Sequence, residues 1–364
     1  MASTTIDHGV TAHAEYLANR HFGALDGFRC FSVLAVIWHH TSAGFSSFAI
    51  TRRGFLGVDM FFVVSGFLIV TLLLRERDRN GRISLREFYI RRTLRIFPVY
   101  YGLLAALFVM LSYVTPDSSR AALYPAELPY YLTYTSNWIH AAILPIAWSL
   151  ATEEQFYLVW PPLEKFARRY ATRVAMAGIL LCQLVNFGVL DHAIASTFGD
   201  EYVKLSILDV TFMPILLGVL LAHLLHSPGG FAAVDVLLGR RGAPRGCLLV
   251  LGVLLMLPSS DIAGWQRLAL QLAMVVLLAS CVVHEGHEAS RPLSWPAIRR
   301  VGAISYGCYL FHLPAMGVVM RVLPELEVGF VFFAITTAGT LVVAELSFRF
   351  VETPFLRIKK RFSS

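Results

Sequence analysis

About ten apolar stretches, each close to the length of a membrane-spanning helix, follow one another along this chain of 364 residues. A helix needs about 20 mostly apolar residues to cross a bilayer. Only 15% of the residues are charged, whereas soluble globular proteins carry about 25%. The sequence therefore predicts an all-α integral membrane protein, a bundle of about ten transmembrane helices. Their approximate ranges are 28–47, 57–74, 97–114, 144–163, 174–191, 206–225, 246–258, 264–283, 303–322 and 328–350.

Basic residues mark one side of the predicted bundle. Eight arginines lie in RERDRNGRISLREFYIRRTLRI, and the segments predicted to share its side contain further basic runs at 167–173, 238–245, 299–300 and 357–361. Because cytoplasmic loops are enriched in Lys and Arg, both termini are predicted to be cytoplasmic. We expect Arg75 to Arg82 to be solvated charges that only set this orientation. The polar N-terminus lacks the pattern of a cleavable signal peptide, so the internal segments are expected to drive insertion.

The first two predicted spans contain ionisable residues, which are costly in a bilayer and often mark a function. Arg29 and His40 are close to three helical turns apart, so they project from nearly the same face, about 16 Å apart along the axis. His39 points about 100° away, and we favour an interfacial role for it and a functional role for His40. Asp59 lies one turn inside the second span. Its predicted partner is a histidine of the neighbouring helix, because a carboxylate fixes an imidazole tautomer.

Glu153 and Glu154 are adjacent in an aromatic, otherwise apolar span. Successive side chains on a helix diverge by about 100°, so at least one of these carboxylates is expected to face the bundle interior. Trp148 and Trp160 flank the pair, and we favour anchoring at the membrane interface for both. A substrate-stacking role for Trp148 is the alternative. Ser65, in the second span, either serves a site or bonds to its own helix.

Three features lie near the C-terminus. His312 falls in the ninth predicted span. Glu345, Arg349 and Glu352 have the i, i+4, i+7 spacing of a salt-bridged helix end, which we predict at the cytoplasmic surface. The run HEGHE, residues 284–288, lacks the HExxH spacing, and we predict no metal site there.

Intramembrane His, Asp and Glu residues occur both in membrane enzymes and in proton-coupled transporters or exporters. The chain shows neither repeat symmetry nor the paired Gly/Pro-broken helices of many transporters. A purely structural membrane protein would leave its buried charges without a function. The lack of repeat symmetry and of paired broken helices argues against a transporter, which stays the alternative to an enzyme.

Six stretches between about residues 24 and 356 carry a resemblance to a known family: LDGFRCFSVLAVIWHH, FLGVDMFFVVSGFLI, FYIRRTLRIFPVYY, WSLATEEQFYLVWP, ISYGCYLFHLP and FRFVETPF. In these blocks and their order the chain resembles the acyltransferase-3 family, membrane enzymes that O-acylate bacterial polysaccharides, lipopolysaccharide, peptidoglycan and some antibiotics. The resemblance implies a membrane domain over residues 24–356, preceded by a polar cytoplasmic segment, 1–23, and followed by a basic cytoplasmic tail, 357–364. It also implies a multi-pass protein of the bacterial cytoplasmic (inner) membrane.

The same resemblance implies the substrates. The donor is acyl-CoA, most often acetyl-CoA, used as a co-substrate with no permanently bound cofactor. The acceptor is a hydroxyl of a carbohydrate, a glycolipid or a glycosylated metabolite. We expect the lipid bilayer as the other partner, and no nucleic acid. Many relatives carry an extracytoplasmic SGNH hydrolase-like domain that this sequence does not include, so the membrane domain is expected to work alone or with another protein.

Site residues follow from the family's motifs. Its Arg-x10-His signature falls on Arg29 and His40, and its RxxR element falls on Arg92 and Arg95, with Arg91 as a possible helper. Guanidinium groups bind phosphates, so these arginines are expected to bind CoA. His40 is expected to act as a general base in direct attack on the thioester, or to carry the acyl group transiently. The acidic catalytic residues implied are Asp59, Glu153 and Glu154, and the substrate-binding residues are Ser65, Trp148, Ser149, Tyr157 and His312. Cys30 departs from the Gly or Ala that commonly follows the signature arginine.

Overall fold

The computed structural model describes residues 11–19, 22–42, 49–139, 141–190, 196–197, 212–257, 262–284 and 291–359. Across these residues the chain is helical, with no strand among its elements. A short helix over residues 11–18 comes first. The principal helices that follow are α1 Gly23–Thr41, α2 Gly57–Asn80, α3 Leu85–Val109, α4 Ser119–Leu132, α5 Ala147–Phe166, α6 Arg168–Asn186, α7 Met213–His226, α8 Pro228–Leu238, α9 Ala243–Met256, α10 Gly264–Val282, α11 Pro296–Ala303, α12 Ser305–Val322, α13 Phe330–Ser347 and α14 Thr353–Lys359.

Only some of these helices have the length and apolarity of a membrane span. In the part of the chain that the structure describes, four helices pass as candidate membrane spans by length and composition. Two further pairs are bent, α7 with α8 by 105° and α11 with α12 by 72°, and counting each pair as one broken span gives six candidate spans. The structure confirms a helical membrane protein, whereas ten spans and two cytoplasmic termini stay predictions. The four unbroken candidates within the described residues are Ile50–Asn80, Leu85–Val114, Gly264–Val282 and Phe330–Ile358.

Helix α3 starts a full twelve residues before the predicted apolar stretch. Its N-cap is Ser84, whose side chain accepts a hydrogen bond from the backbone N–H of Glu87 at 3.4 Å. Such a cap satisfies one of the free N–H groups at a helix start. Arg91, Arg92 and Arg95 therefore lie two to three turns into a formed helix, where neighbouring side chains point in fixed and different directions.

Helices α2 and α7 pack closely through glycines. A Cβ atom on Gly66 of α2 would overlap the backbone carbonyl of Ile215, and one on Gly218 of α7 would overlap that of Val63. Small residues allow membrane helices to approach backbone to backbone. The segment of α2 around Ser65 is therefore held rigidly against α7.

Two arginines predicted to be solvated are structural instead. Arg75 donates to the backbone carbonyls of Tyr16, at 2.6 Å, and Asn19. Its guanidinium also lies over the Tyr16 ring, 5.1 Å from the centroid. Arg77 donates to the backbone carbonyl of Glu164. The expectation of purely solvated charges is wrong here because both side chains fold back onto neighbouring helix ends whose carbonyl groups need donors.

A wide helical turn, Phe348–Glu352, joins α13 to α14. Its backbone hydrogen bonds join residues five positions apart, one more than in an α-helix. The Thr353 hydroxyl also donates a hydrogen bond to the Phe348 carbonyl at 2.7 Å. Wide turns of this kind insert an extra residue per turn and frequently occur at functional sites. This turn rotates Glu352 away from the face that Glu345 occupies.

Candidate active site

A cavity of about 450 Å³ lies between α1, α2, α3, α5, α12 and the wide turn. Its volume is in the range of small-molecule sites. Guanidinium and carboxyl groups meet there with hydroxyl groups from three of these helices, which is a costly arrangement inside a membrane bundle unless a ligand uses it. The polar lining residues are Asp26, Arg29, Ser65, Arg92, Arg95, Ser149, Glu153, Glu154, Tyr157, Ser305, Tyr306, Tyr309 and Glu352.

The cationic part of the lining comes from α1 and α3. Arg29 pairs with Asp26, one turn before it, at 3.2 Å. The Arg92 guanidinium lies 5.0 Å from the centroid of the Tyr157 ring. Arg92 and Arg95 are one turn apart on α3 and both line the cavity, as their spacing predicts.

Arg91 does not line the cavity with Arg92 and Arg95. This corrects the prediction that Arg91 helps to bind the donor. It bonds to Glu76 at 3.0 Å and to Glu87 at 3.4 Å, and it lies outside the described lining of the cavity. The reason is geometric, since Arg91 points about 100° away from Arg92 on α3.

The acidic part of the lining is centred on α5. Glu153 and Glu154 both line the cavity, which confirms that at least one of them faces the interior. The Ser65 hydroxyl donates to Glu153 Oε1 at 2.6 Å. Ser65 therefore bonds to a carboxylate across the α2–α5 interface and not to its own helix.

The His40 side of the bundle is separated from the cavity by Tyr309. The Tyr309 hydroxyl lies 2.6 Å from the Ser149 hydroxyl, and its ring packs against Phe61 on one side and His312 on the other. His312 is fully buried, and its Nε2 lies 3.3 Å from His40 Nδ1. Both histidines lie outside the described cavity lining, so a substrate-binding role of His312 stays a prediction.

The hydrogen bonds of the two histidines fix their tautomers. His40 Nδ1 lies 2.9 Å from the Val36 carbonyl, and His312 Nδ1 lies 2.6 Å from the Tyr309 carbonyl. Carbonyl oxygens only accept, so Nδ1 carries the proton in each ring. His312 Nε2 then accepts from His40. In the neutral ring of His40 the lone pair is then on Nε2, which is the atom able to take a proton.

Asp59 has a different partner from the predicted histidine. Its carboxylate accepts from Gln271 at 2.9 Å and pairs with Arg267 at 3.5 Å, both on α10. The prediction that Asp59 orients His40 is therefore wrong. The Arg267 guanidinium and the Gln271 amide are therefore the partners of the Asp59 carboxylate. Because α10 is far from Asp59 in the sequence, residue spacing alone could not identify these partners.

The two tryptophans also differ from expectation. Trp148 packs edge-on against Phe62, with centroids 6.1 Å apart, and lies outside the described cavity lining. Trp160 is buried and donates to Glu164 at 3.0 Å. An interface anchor needs an exposed polar edge, so the prediction is wrong for Trp160, and the substrate-stacking alternative for Trp148 has no contact to support it in this cavity.

Glu352 is the functional candidate that sequence reasoning missed. Glu345 does form the predicted salt bridge with Arg349, at 2.5 Å, and a further one with Arg300 at 2.7 Å. Glu352 is instead buried in the cavity wall, and its Oε1 has no hydrogen-bond partner among the described residues. The i+7 spacing assumed a regular helix, and the wide turn changes that register. The Thr-Pro that follows Glu352 is a weak signal of such a break.

The HEGHE run contributes one described residue, His284, whose Nε2 pairs with Asp235 at 2.6 Å. Residues 285–288 lie outside the described part of the chain. No group of three or more His, Cys, Asp or Glu residues among those described could hold a metal ion.

Comparisons with known proteins agree on one family. The profile of the acyltransferase domain of the acyltransferase-3 family matches residues 22–347. The peptidoglycan O-acetyltransferase OatA of Listeria monocytogenes is 27% identical, over 93% of this chain and 56% of that protein. A protein named as a candidate O-acetyltransferase in Staphylococcus aureus is 29% identical, over 94% of this chain and 58% of its own length. The chain thus spans little more than half the length of these relatives. No solved structure matches it.

Proposed function

Because the chain belongs to the acyltransferase-3 family and is an acyltransferase, we propose that it transfers an acetyl group from acetyl-CoA to a carbohydrate hydroxyl. Two similar proteins are O-acetyltransferases by name, and one of them is named for peptidoglycan. Peptidoglycan is therefore the first acceptor to test. A transporter is not favoured, because the family match is to an enzyme domain.

The cavity with three guanidinium groups carries this proposal. Coenzyme A is rich in phosphate, and arginine is the side chain best suited to bind phosphates through paired hydrogen bonds. Arg29, Arg92 and Arg95 line one cavity with Glu153 and Glu154. In this arrangement the arginines bind the CoA phosphates and the thioester reaches towards the carboxylates of α5.

His40 serves the acceptor in this proposal. Its Nε2 lone pair accepts the proton of the attacking hydroxyl, while His312 and the Val36 carbonyl hold the ring in place. In this proposal the arginine end of the cavity faces the cytoplasm, where CoA is found, in line with the orientation that the basic loops predict. His40, about 16 Å further along α1 from Arg29, then lies towards the outer face.

The test uses the purified full chain in lipid nanodiscs with acetyl-CoA and peptidoglycan fragments. We expect release of free CoA thiol that depends on the acceptor, and an acetylated fragment detectable by mass spectrometry. Other surface glycans are tested in parallel for acceptor choice. Absence of acetyl-CoA binding and of thiol release with every acceptor, together with substrate flux in sealed vesicles, would favour the transporter instead.

A further inference from the structure

We propose that Ser65 is the nucleophile that takes the acyl group from the thioester, with Glu153 as its base, so that transfer proceeds through a covalent acyl-serine. This inference rests on the proposed function, because it requires an acyl-CoA in the cavity. It adds an intermediate that differs from both direct attack and an acyl-histidine.

The Ser65–Glu153 pair has the geometry of an activated nucleophile. The serine hydroxyl and the carboxylate oxygen are 2.6 Å apart, within the reach required of a nucleophile and its base. Both residues line the cavity and both are half-buried, so the oxygen is accessible from the cavity. Tyr157 lies beside the pair and contributes a further hydroxyl near the reacting atoms.

Ser65 is also held in place from behind. Gly66 brings α2 into backbone contact with Ile215 of α7, and Gly218 of α7 does the same against Val63. A nucleophile on such a rigid element keeps its orientation without loop ordering. Catalytic groups work best when they are positioned before the substrate arrives.

Three other cavity hydroxyls are committed elsewhere. The Tyr306 hydroxyl donates to the Ile96 carbonyl at 3.0 Å. Ser149 lies 3.1 Å from the Ile146 carbonyl, and Tyr309 bonds to Ser149. These groups face carbonyls or each other, whereas the bond of Ser65 goes to a carboxylate that can take its proton.

The proposed steps balance as follows. Glu153 takes the proton of Ser65, the serine oxygen attacks the thioester carbonyl carbon, and the carbon–sulfur bond breaks. The CoA thiolate leaves and takes a proton from solvent, which leaves an ester on Ser65. The acceptor hydroxyl then attacks that ester and passes its proton by way of water to His40, which lies beyond Tyr309 and returns one to solvent. Glu153 gives its proton back to the Ser65 oxygen as the ester bond breaks.

Isotope exchange tests this step without an acceptor. The full chain in nanodiscs is incubated with acetyl-CoA and radiolabelled free CoA, and label entering acetyl-CoA is counted. An acyl-enzyme makes this exchange possible, because the first half-reaction is reversible. We expect exchange in the wild type, a loss of at least about 10³-fold in Ser65→Ala, and a loss of about 10²- to 10⁴-fold in Glu153→Gln.

Two further variants separate chemistry from folding. Ser280→Ala is the matched control, since Ser280 is a buried serine of α10 that bonds to the Leu277 carbonyl away from the cavity. It should exchange at the wild-type rate. Ser65→Cys should retain the acetyl group as a thioester that neutral hydroxylamine cleaves, with the label mapping to residue 65.

The outcomes distinguish the two proposals. Exchange that persists in Ser65→Ala, or a wild type that transfers acetyl groups without any exchange, overturns the acyl-serine alone. A wild type that does not bind acetyl-CoA overturns the proposed function as well. Donor binding by Ser65→Ala, measured as thermal stabilisation by acetyl-CoA, is expected to match the wild type and shows that the variant is folded.

Discussion

The cavity and the His40–His312 pair both place ionisable residues inside the bundle, but they do so in opposite ways. The cavity gathers guanidinium groups together with carboxyl groups. The histidine pair brings together two rings whose Nδ1 atoms each lie within hydrogen-bond distance of a backbone carbonyl. Permanent charge suits the binding of phosphates, and a neutral imidazole with a free lone pair suits the acceptance of a proton.

The difference indicates a division of labour within one bundle. Arg29 and His40 are both on α1, Arg29 in the cavity and His40 in the histidine pair, so that helix connects the two regions to which we assign the donor and the acceptor. Tyr309 stands between the regions, with its hydroxyl on Ser149 and its ring on His312. If the regions are separate, variants in one should alter donor binding and variants in the other should alter transfer alone.

The largest expected effect is that of His40→Ala. Loss of the base should lower the transfer rate by about 10²- to 10⁴-fold, because general base catalysis contributes that much. Binding of acetyl-CoA should stay at the wild-type level. His39→Ala is the control, since His39 packs against Phe55 and should retain transfer. Full transfer by His40→Ala, measured as acceptor-dependent thiol release, would remove the histidine pair from the mechanism.

Arg92→Ala should weaken the binding of the acetyl-CoA donor alone. A hydrogen bond to a charged group is worth about 1.5–3 kcal/mol, so the KM for acetyl-CoA should rise by about ten- to a hundredfold. Arg91→Ala is the matched control on the next residue of α3. Arg91 pairs with Glu76 and Glu87, so the KM should stay near the wild-type value. Equal effects of the two substitutions would contradict the assignment of Arg92 to the cavity.

These two regions differ in how far the sequence predicts them. Helical class follows from apolar length, and the pairing of Arg92 with Arg95 follows from one-turn spacing. Such rules act within one helix. The partner of Asp59 on α10 and the approach of His312 to His40 depend on contacts between distant segments, which spacing does not encode. Glu352 was missed for a third reason, since the wide turn changes a register that the rule assumes to be regular.

Gly66→Ala should disturb the cavity more than it disturbs the His40–His312 pair. An added Cβ would meet the Ile215 carbonyl and push α2 from α7, at a cost of about 1–3 kcal/mol of stability. The shift moves Ser65, so acetyl-CoA exchange should fall with the melting temperature. Gly102→Ala is the control, because a Cβ there meets nothing within 4 Å. An unchanged melting temperature in Gly66→Ala would show that the helix contact is looser than described.

Tyr309→Phe should have the smallest effect and the most direct bearing on the separation of the regions. The substitution keeps the ring contacts with Phe61 and His312 and removes the hydroxyl, which lies 2.6 Å from Ser149 and donates to the Ile146 carbonyl at 3.3 Å. A lost hydrogen bond costs about 0.5–1.5 kcal/mol, so changes of about two- to tenfold are expected. If this bond keeps the cavity apart from the acceptor side, its loss should raise thiol release without acceptor while the KM for acetyl-CoA stays constant. Ser149→Ala, which removes the same bond from the other side, should give the same pattern. A fall in acceptor-dependent transfer with no rise in uncoupled release would instead make Tyr309 a residue that positions His312.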